Sequence, residues 1–253
     1  MIPKTIHYCW FGGKPLPPLA RKCIKSWEKY LPGYTIKRWD ENNFDINIIP
    51  YTRDAYQMKK YAFVSDYARF WILYKYGGIY FDTDVEVIKP MDDILANGGF
   101  MGYEENGDNV APGLGIACPP GLDIIHALLD EYTTLSFIKV NEALNQTTVV
   151  TYTTDVLKRH GLKNTNAIEH VGGIYIYPKD YFCPKNKFTG KIHLTPNTYT
   201  IHHFDGSWID KNLSFYAKQW FHKLLILLLG QKYHHAIVKK VRKFNRIGQR
   251  KRK

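Results

Sequence analysis

Residues 61–87 read YAFVSDYARFWILYKYGGIYFDTDVEV: a buried helix, a glycine stop, and a short hydrophobic strand that ends in two acids. From 61 to 76 there is no Gly or Pro, and large apolar residues fill most positions, as expected of a helix wedged inside a core. Asp66 and Arg69 are the exceptions. Three residues apart, they share one face and can reach one cleft. Gly77-Gly78 ends the helix, because glycine enters the left-handed C-cap conformation without a Cβ penalty. Ile79-Tyr80-Phe81 then reads as a strand that Asp82-Thr83-Asp84 continues. Alternation along it puts Asp82 and Asp84 on one side, roughly 7 Å apart. Two carboxylates at the mouth of a buried strand are costly to desolvate unless a positive group lies between them. A divalent cation carrying a diphosphate meets that need, since hard cations take carboxylate oxygens.

Upstream, residues 4–10 read as a strand, 19–30 as a helix after a proline-rich stretch, and 34–39 as a second strand. Such a β-α-β unit has a right-handed crossover and parallel strands. Ligands gather at the carboxyl ends of strands in these sheets, where Trp10, Phe11 and Gly12 lie. Trp10 reads either as a core tryptophan or as a ligand contact, and the Gly12-Gly13 pair, which lets backbone approach a ligand, favours the second. Residues 40–51 read as a loop. Downstream, strands are expected over 100–103 and 114–118, a strand and turn punctuated by Pro178 and Pro184 over 175–184, and helices over 122–132 and 147–159. The Gly-, Asn- and acid-rich segment 104–113 reads as a mobile loop through which an acceptor could reach the site. Near the C-terminus, residues 198–208 read TYTIHHFDGSW, and alternation puts His202 and His203 on opposite faces, so one of them can point into a site.

The bulk composition sets the remaining bounds. A 45% hydrophobic content is ample for a core, and 15% aromatic suits a cleft that stacks bases and sugars. The net charge of +12 implies acidic partners: anionic lipid, nucleic acid or phosphorylated small molecules. Cys9, Cys23, Cys118 and Cys183 form no CxxC pair, which fits a reducing compartment rather than a zinc site or disulfide framework. The opening MIPKTIHYCWFGG lacks the pattern of a signal peptide. No run reaches the roughly 20 apolar residues that cross a bilayer. Residues 213–253 change character, mixing apolar positions with Lys and His and ending in KKVRKFNRIGQRKRK. They read as a basic amphipathic helical extension suited to the headgroup region of an anionic membrane. Nucleic acid is the less favoured partner, because Lys/Arg clustering alone is not specific for it.

SDxxR, a helix, GGxYxDxD and a following hydrophobic strand, at this spacing, resemble the DXD-containing sugar-transferase family. That family takes in yeast mannosyltransferases, bacterial capsule and exopolysaccharide glycosyltransferases and, more distantly, the clostridial glucosylating toxins. IHYCWFGG at 6–13 is similar to its opening motif and HHFDGSW at 202–208 to its closing one. The resemblance implies an α/β, GT-A-like single catalytic domain over 1–212, with a mixed, mainly parallel central sheet flanked by helices. It implies a metal-dependent, retaining transferase that moves a hexose from a UDP-sugar to a glycan or lipid-linked saccharide in surface polysaccharide synthesis. The cofactor would be Mn2+ or Mg2+, and the enzyme would be cytoplasmic, peripheral on the inner face of the plasma membrane.

On the same resemblance Trp10 packs on the uracil, with Phe11 and Gly12 beside it. Asp66 accepts from donor hydroxyls and Arg69 faces donor oxygens. Asp84 coordinates the metal, while Asp82 contacts ribose or sugar and can share the metal through water. His203 is the expected metal or diphosphate ligand of the histidine pair, and Ser207 and Trp208 close over the donor phosphates. Residues 147–159 depart from the family, having TTVVTYTTDVLKR where relatives carry a TGP-like motif. Thr151, Thr154 and Asp155 could line the acceptor side, although an ordinary amphipathic helix is the slightly favoured reading. No residue stands out as the nucleophile of a double displacement, so same-face attack is an equal option.

Two rival classes share some of these features. IYFDTDV also fits the nucleophile strand of a haloacid-dehalogenase-type phosphohydrolase, with Asp205 and Asp210 imitating its later acids. That motif usually opens a chain, and it leaves the three other motifs unexplained. A non-enzymatic basic protein that binds membrane or nucleic acid would be indifferent to Asp84 and would depend on the tail.

Overall fold

The computed structural model describes residues 1–104, 108–139, 142–165, 167–206, 217, 220–230, 233 and 237–238. In chain order its elements are β1 (Thr5–Cys9), α1 (Pro18–Tyr30), β2 (Thr35–Trp39), α2 (Pro50–Gln57), α3 (Tyr61–Tyr76), β3 (Gly78–Tyr80) and β4 (Val85–Val87). There follow α4 (Asp92–Asn97), β5 (Gly99–Gly102), a 3-10 turn (Pro112–Leu114), β6 (Ile116–Cys118), α5 (Asp123–Thr133) and α6 (Val149–Arg159). β7 (Glu169–Val171), β8 (Ile174–Tyr177), α7 (Lys179–Phe182) and β9 (Thr200–His202) complete it.

The main sheet has seven strands in the order β2-β1-β3-β6-β5-β8-β7. β1 pairs in parallel with both β2 and β3, as the β-α-β reading requires. β6 is antiparallel to β3 and to β5, β8 is parallel to β5, and β7 is antiparallel to β8. Five strands therefore point one way, while β6 and β7 oppose them. This is the expected mixed, mainly parallel sheet. β4 and β9 form a separate antiparallel pair.

Side chains alternate across the strands and divide the core in two. Ile6, Tyr8, Ile79, Phe100 and Ala117 face the layer that holds Trp27 of α1 and Phe182 of α7. Cys9, Tyr80, Met101, Ile116 and Ile176 face the layer built from α2, α3, α5 and α6. The period of two along each strand produces this directly, and all four cysteines end up buried.

α3 has the limits expected of it and is buried along most of its length, Asp66 and Arg69 included. Gly77 and Gly78 stop it with φ of 63° and 97°. At Gly78 a Cβ would stand 2.6 Å from the Thr5 carbonyl oxygen, so close passage past β1 also demands glycine there. Three elements differ from expectation. Pro50 opens α2, because proline fits the first helical position where its missing N–H costs nothing. β7 is a three-residue strand joined to β8 through Gly172-Gly173, both with positive φ, as a two-residue hairpin turn prefers. In place of a strand over 114–118, the 3-10 turn Pro112–Leu114 ends there and a three-residue strand, Ile116–Cys118, follows.

The chain divides into two units: Met1–Lys185 with Ile192–Trp208, and Asn186–Lys191 with Ile209–Lys253. In the second unit, residues 220–230 are helical. No helix among the described residues is long and apolar enough to cross a membrane.

Candidate active site

Asp82 follows β3 at the carboxyl edge of the sheet, beside the edge where β1 delivers Trp10. Here the backbone departs from a continuous strand. The Val85 amide donates to the Asp82 carbonyl at 3.0 Å, so residues 82–85 form a turn that carries the chain from the main sheet into β4. The turn folds the two carboxylates together, where extended backbone would hold them apart. Ligand atoms of Asp82, Asp84 and His202 all lie within 4.8 Å of one another.

The pairing of β4 with β9 brings the histidine. Val85 stands opposite His202 and Glu86 opposite Ile201. His203 is therefore a diagonal neighbour of Glu86 on one face of the pair, and its Nε2 lies 2.7 Å from Glu86 Oε2. His202 points to the other face, where its Nε2 lies 3.1 Å from Asp84 Oδ1. This corrects the sequence expectation: His202, not His203, joins the acids. Lys22 on α1 holds Glu86 from the far side at 2.9 Å. Backbone amides fix Asp84 further, Asp205 donating to its Oδ2 at 2.8 Å and His203 to its carbonyl at 2.9 Å.

Electrostatics separate the two acids. Burial pushes the Asp84 carboxyl up, but the facing His202 and the Asp205 amide outweigh it and hold it at about 2. Asp82 goes the other way, raised chiefly by burial, which its contact with Arg69 only partly offsets. For His202 burial favours the neutral ring, but the adjacent Asp84 carboxylate prevails and raises it. Its Nδ1 is buried and has no hydrogen-bond partner. A cation held between Asp82, Asp84 and the His202 imidazole would satisfy a carboxylate pair that is otherwise crowded. Two hard oxygens with one imidazole suit manganese or magnesium, so these residues fit the divalent ion that the family pattern implies.

Arg69 ties the central helix to this cluster. A single guanidinium nitrogen, Nη2, lies 3.0 Å from Asp66 Oδ1 and 3.2 Å from Asp82 Oδ1. Its Nε donates to the Ser65 carbonyl at 3.2 Å, and the guanidinium lies 5.1 Å from the Tyr80 ring centroid. Asp66 is pushed up to about 7 by burial, with Arg69 pulling it down and the Asp82 charge adding to the rise. It also accepts a hydrogen bond from the Val149 amide at the start of α6. Gly113 presses on the same group: a Cβ there would stand 2.2 Å from Asp82 Oδ2.

At the neighbouring strand end, Trp10 is half-buried and its Nε1 donates to the Lys14 carbonyl at 2.6 Å. Phe11 is buried edge-on against Phe44, with ring centroids 5.8 Å apart, so its place is in the core. The Gly12 amide donates to Glu41 Oε1 at 3.2 Å, and a Cβ on Gly12 would meet the Tyr61 ring at 2.3 Å. Tyr56 donates to the same Glu41 oxygen at 3.2 Å. Thr154 is buried, accepting from the Val110 amide at 3.0 Å and donating to the Val150 carbonyl at 2.7 Å. That is a structural use, as the ordinary-helix reading of α6 expects. Ser207 and Trp208 lie outside the described residues.

Sequence reasoning missed Gly113, Glu41 and the Glu86–His203 pair. The HHFDGSW block at 202–208 did point to a histidine, and the β4–β9 register was the signal needed to choose between the two.

Comparison with known proteins bears on the same residues. The model for a glycosyltransferase sugar-binding region containing a DXD motif matches residues 17–101. A glycosyltransferase of Acanthamoeba polyphaga mimivirus is 30% identical over 201 residues, covering 74% of this chain and 77% of the relative. Inositol phosphoceramide mannosyltransferase 1 of Schizosaccharomyces pombe is 30% identical over 111 residues, 40% of this chain and 33% of that protein. The initiation-specific alpha-1,6-mannosyltransferase of Candida albicans is 28% identical over 123 residues, 45% of this chain and 32% of the relative. The matches to both fungal enzymes thus span about a third of their length.

Proposed function

The chain belongs to the family of glycosyltransferases whose sugar-binding region contains a DXD motif, and we propose that it transfers a hexose from a UDP-sugar to a glycan or lipid-linked saccharide. The observation that carries this reading is the convergence of Asp82, Asp84 and His202 beside the Asp66–Arg69 pair at the carboxyl edge of the sheet. Asp82, Asp84 and His202 would hold Mn2+ or Mg2+. Bound there, the ion supplies charge neutralisation for the departing diphosphate.

The remaining roles follow from the side chains themselves. Asp84, ionised down to about pH 2, keeps its charge under all working conditions. Arg69 holds Asp66 and Asp82 in one orientation and presents a buried positive charge toward the donor. Asp66, shifted to about 7 by burial, can both accept from and donate to sugar hydroxyls near neutrality. Trp10, half-exposed at the end of β1, offers a face to the base. Arg69 engages both Asp66 and Asp82, so neither carboxylate is free to act as the nucleophile of a double displacement. The retention of anomeric configuration that the family resemblance implies would then come from attack on the face the leaving group departs from.

A second reading concerns the sugar. Two relatives are named as mannosyltransferases, which favours mannose as the group transferred. The two readings separate in one experiment, release of nucleotide from UDP-glucose, UDP-galactose, their N-acetyl forms and GDP-mannose in the presence of manganese. Slow hydrolysis of one donor, lost with chelator and in Asp84→Ala, is the expected result and identifies the sugar. Absence of both hydrolysis and binding for every donor would overturn the reading. Cleavage of a simple phosphate ester that depends on Asp82 would hand the chain to the phosphohydrolase class.

A further inference from the structure

The charge of this chain is not spread over it. Residues 211–253 hold 13 of the 35 Lys and Arg and no Asp or Glu. The first 210 residues hold the other 22 together with all 23 acids, so they are close to neutral and the tail carries the whole excess of +12. The same tail exposes apolar side chains. Within the helical residues 220–230, Trp220 is 65% exposed, Leu227 81% and Leu228 69%, with Phe221 and Leu229 also exposed. Tyr233 and Ile237 continue the series.

Large apolar side chains exposed in succession mark an interaction surface. Three kinds of partner could cover this one, and its chemistry tells them apart. A second copy of the tail would bury the leucines but set 13 cations against 13 more. A nucleic acid would neutralise the cations but leave Leu227, Leu228 and Leu229 in water. An anionic bilayer accepts both, its acyl boundary taking the apolar side chains and its headgroups the cations. Among the described residues no helix is long and apolar enough to cross a bilayer, and Lys218, Lys223, Lys232, Lys239 and Lys240 interrupt the segment before it reaches the roughly 20 apolar residues that a span needs.

We propose that the segment from Trp220 onward docks the enzyme on an anionic membrane surface, with the leucine-rich helix in the interfacial layer and the Lys and Arg beyond it facing acidic headgroups. The inference stands on the tail and is independent of the sugar or metal chemistry. It adds a reason for the extension: an enzyme held at the surface meets lipid-linked saccharides at high local concentration.

The test is sedimentation of the full chain with vesicles of phosphatidylcholine alone or with about 30 mol% phosphatidylglycerol, in about 0.1 M and about 0.5 M salt. Binding at least about tenfold stronger to the anionic vesicles, weakened by salt, is expected. The pair Leu227→Ser and Leu228→Ser, which leaves every charge in place, is expected to lower that binding about tenfold or more. Donor hydrolysis by this variant should match the parent chain, which shows that the variant is folded. Loss of hydrolysis in both proteins with vesicle binding intact would count against the transferase reading and not against this one. Equal affinity for neutral and anionic vesicles, or none for either, would overturn the proposal. So would tighter binding to duplex DNA than to anionic vesicles, or self-association that the serine variant abolishes while vesicle binding is absent.

Discussion

His202 Nε2 lies 3.1 Å from Asp84 Oδ1, while His203, one residue on, faces Glu86 across the other side of the β4–β9 pair. The two histidines therefore make opposite predictions. Substituting a ligand removes a donor from the ion, whereas substituting a neighbour only loosens the strand that presents it. His202→Ala should weaken manganese binding by well over tenfold, and His203→Ala by less than about tenfold, as for groups one step removed from a metal. Titration of each variant with manganese checks this. Equal losses would remove the distinction.

Gly113 tests how tightly Asp82 is held. Its backbone conformation is open to other residues, so the argument rests on space alone: a Cβ would stand 2.2 Å from Asp82 Oδ2. In Gly113→Ala the carboxylate must shift, breaking its alignment with Arg69. The expected cost is about 1–3 kcal/mol of stability, typical of overpacking. A displacement on the order of 1 Å at a reacting site can cost about 100-fold in rate, so kcat should fall more steeply than the melting temperature suggests. Thermal unfolding and donor hydrolysis measured together decide it.

Arg69 is the buried cation between two acids, and its removal leaves both uncompensated. Arg69→Met should lose about 3–5 kcal/mol in urea unfolding. Adding Asp66→Asn to that variant removes a buried carboxyl that has lost its partner and should restore part of the loss, a coupling that a double-mutant cycle reads directly. Purely additive effects would show that the pair does not act as a unit.

His7 gives the pH dependence. It is buried in β1, its Nδ1 accepts from Trp39 Nε1 at 3.1 Å, and its Nε2 donates to the Gly77 carbonyl at 3.0 Å. Burial lowers its pKa to about 4, the hydrogen bond to Gly77 opposing the shift and the Lys37 charge adding to it. The unfolded ring titrates near 6.5 and so binds more protons than the folded ring between those values. Its contribution is present above pH 6.5 and is lost as the pH falls toward 4. The largest loss is about 3 kcal/mol. Urea unfolding of the parent chain and His7→Gln across that range should converge toward acid pH, and a constant difference would refute it.

Much of this architecture was legible because the local pattern and the tertiary role agree. α3 announces itself by apolar residues on every face and by Gly77-Gly78, and the β1-α1-β2 unit by spacing. Where sequence reasoning fell short, a long-range contact decided the outcome. Asp82 and Asp84 looked like alternate residues of one strand, yet the chain turns there because β4 pairs with β9, far along the sequence. The same pairing register chooses His202 over His203. Gly113 carries no local signal at all, since its constraint comes from a side chain 31 positions away. α2 was obscured by Pro50, a residue that breaks helices in their interior and opens them at their first turn.

The central claim is that Asp84 and its partners hold a cation that in turn holds the donor diphosphate. Calorimetric titration with UDP and GDP tests it most directly, comparing the parent chain in manganese, the parent chain in chelator, and Asp84→Asn in manganese. One nucleotide should bind in the first case and lose at least about tenfold in affinity in both others. Binding that is unchanged by chelator and by the substitution would contradict the account.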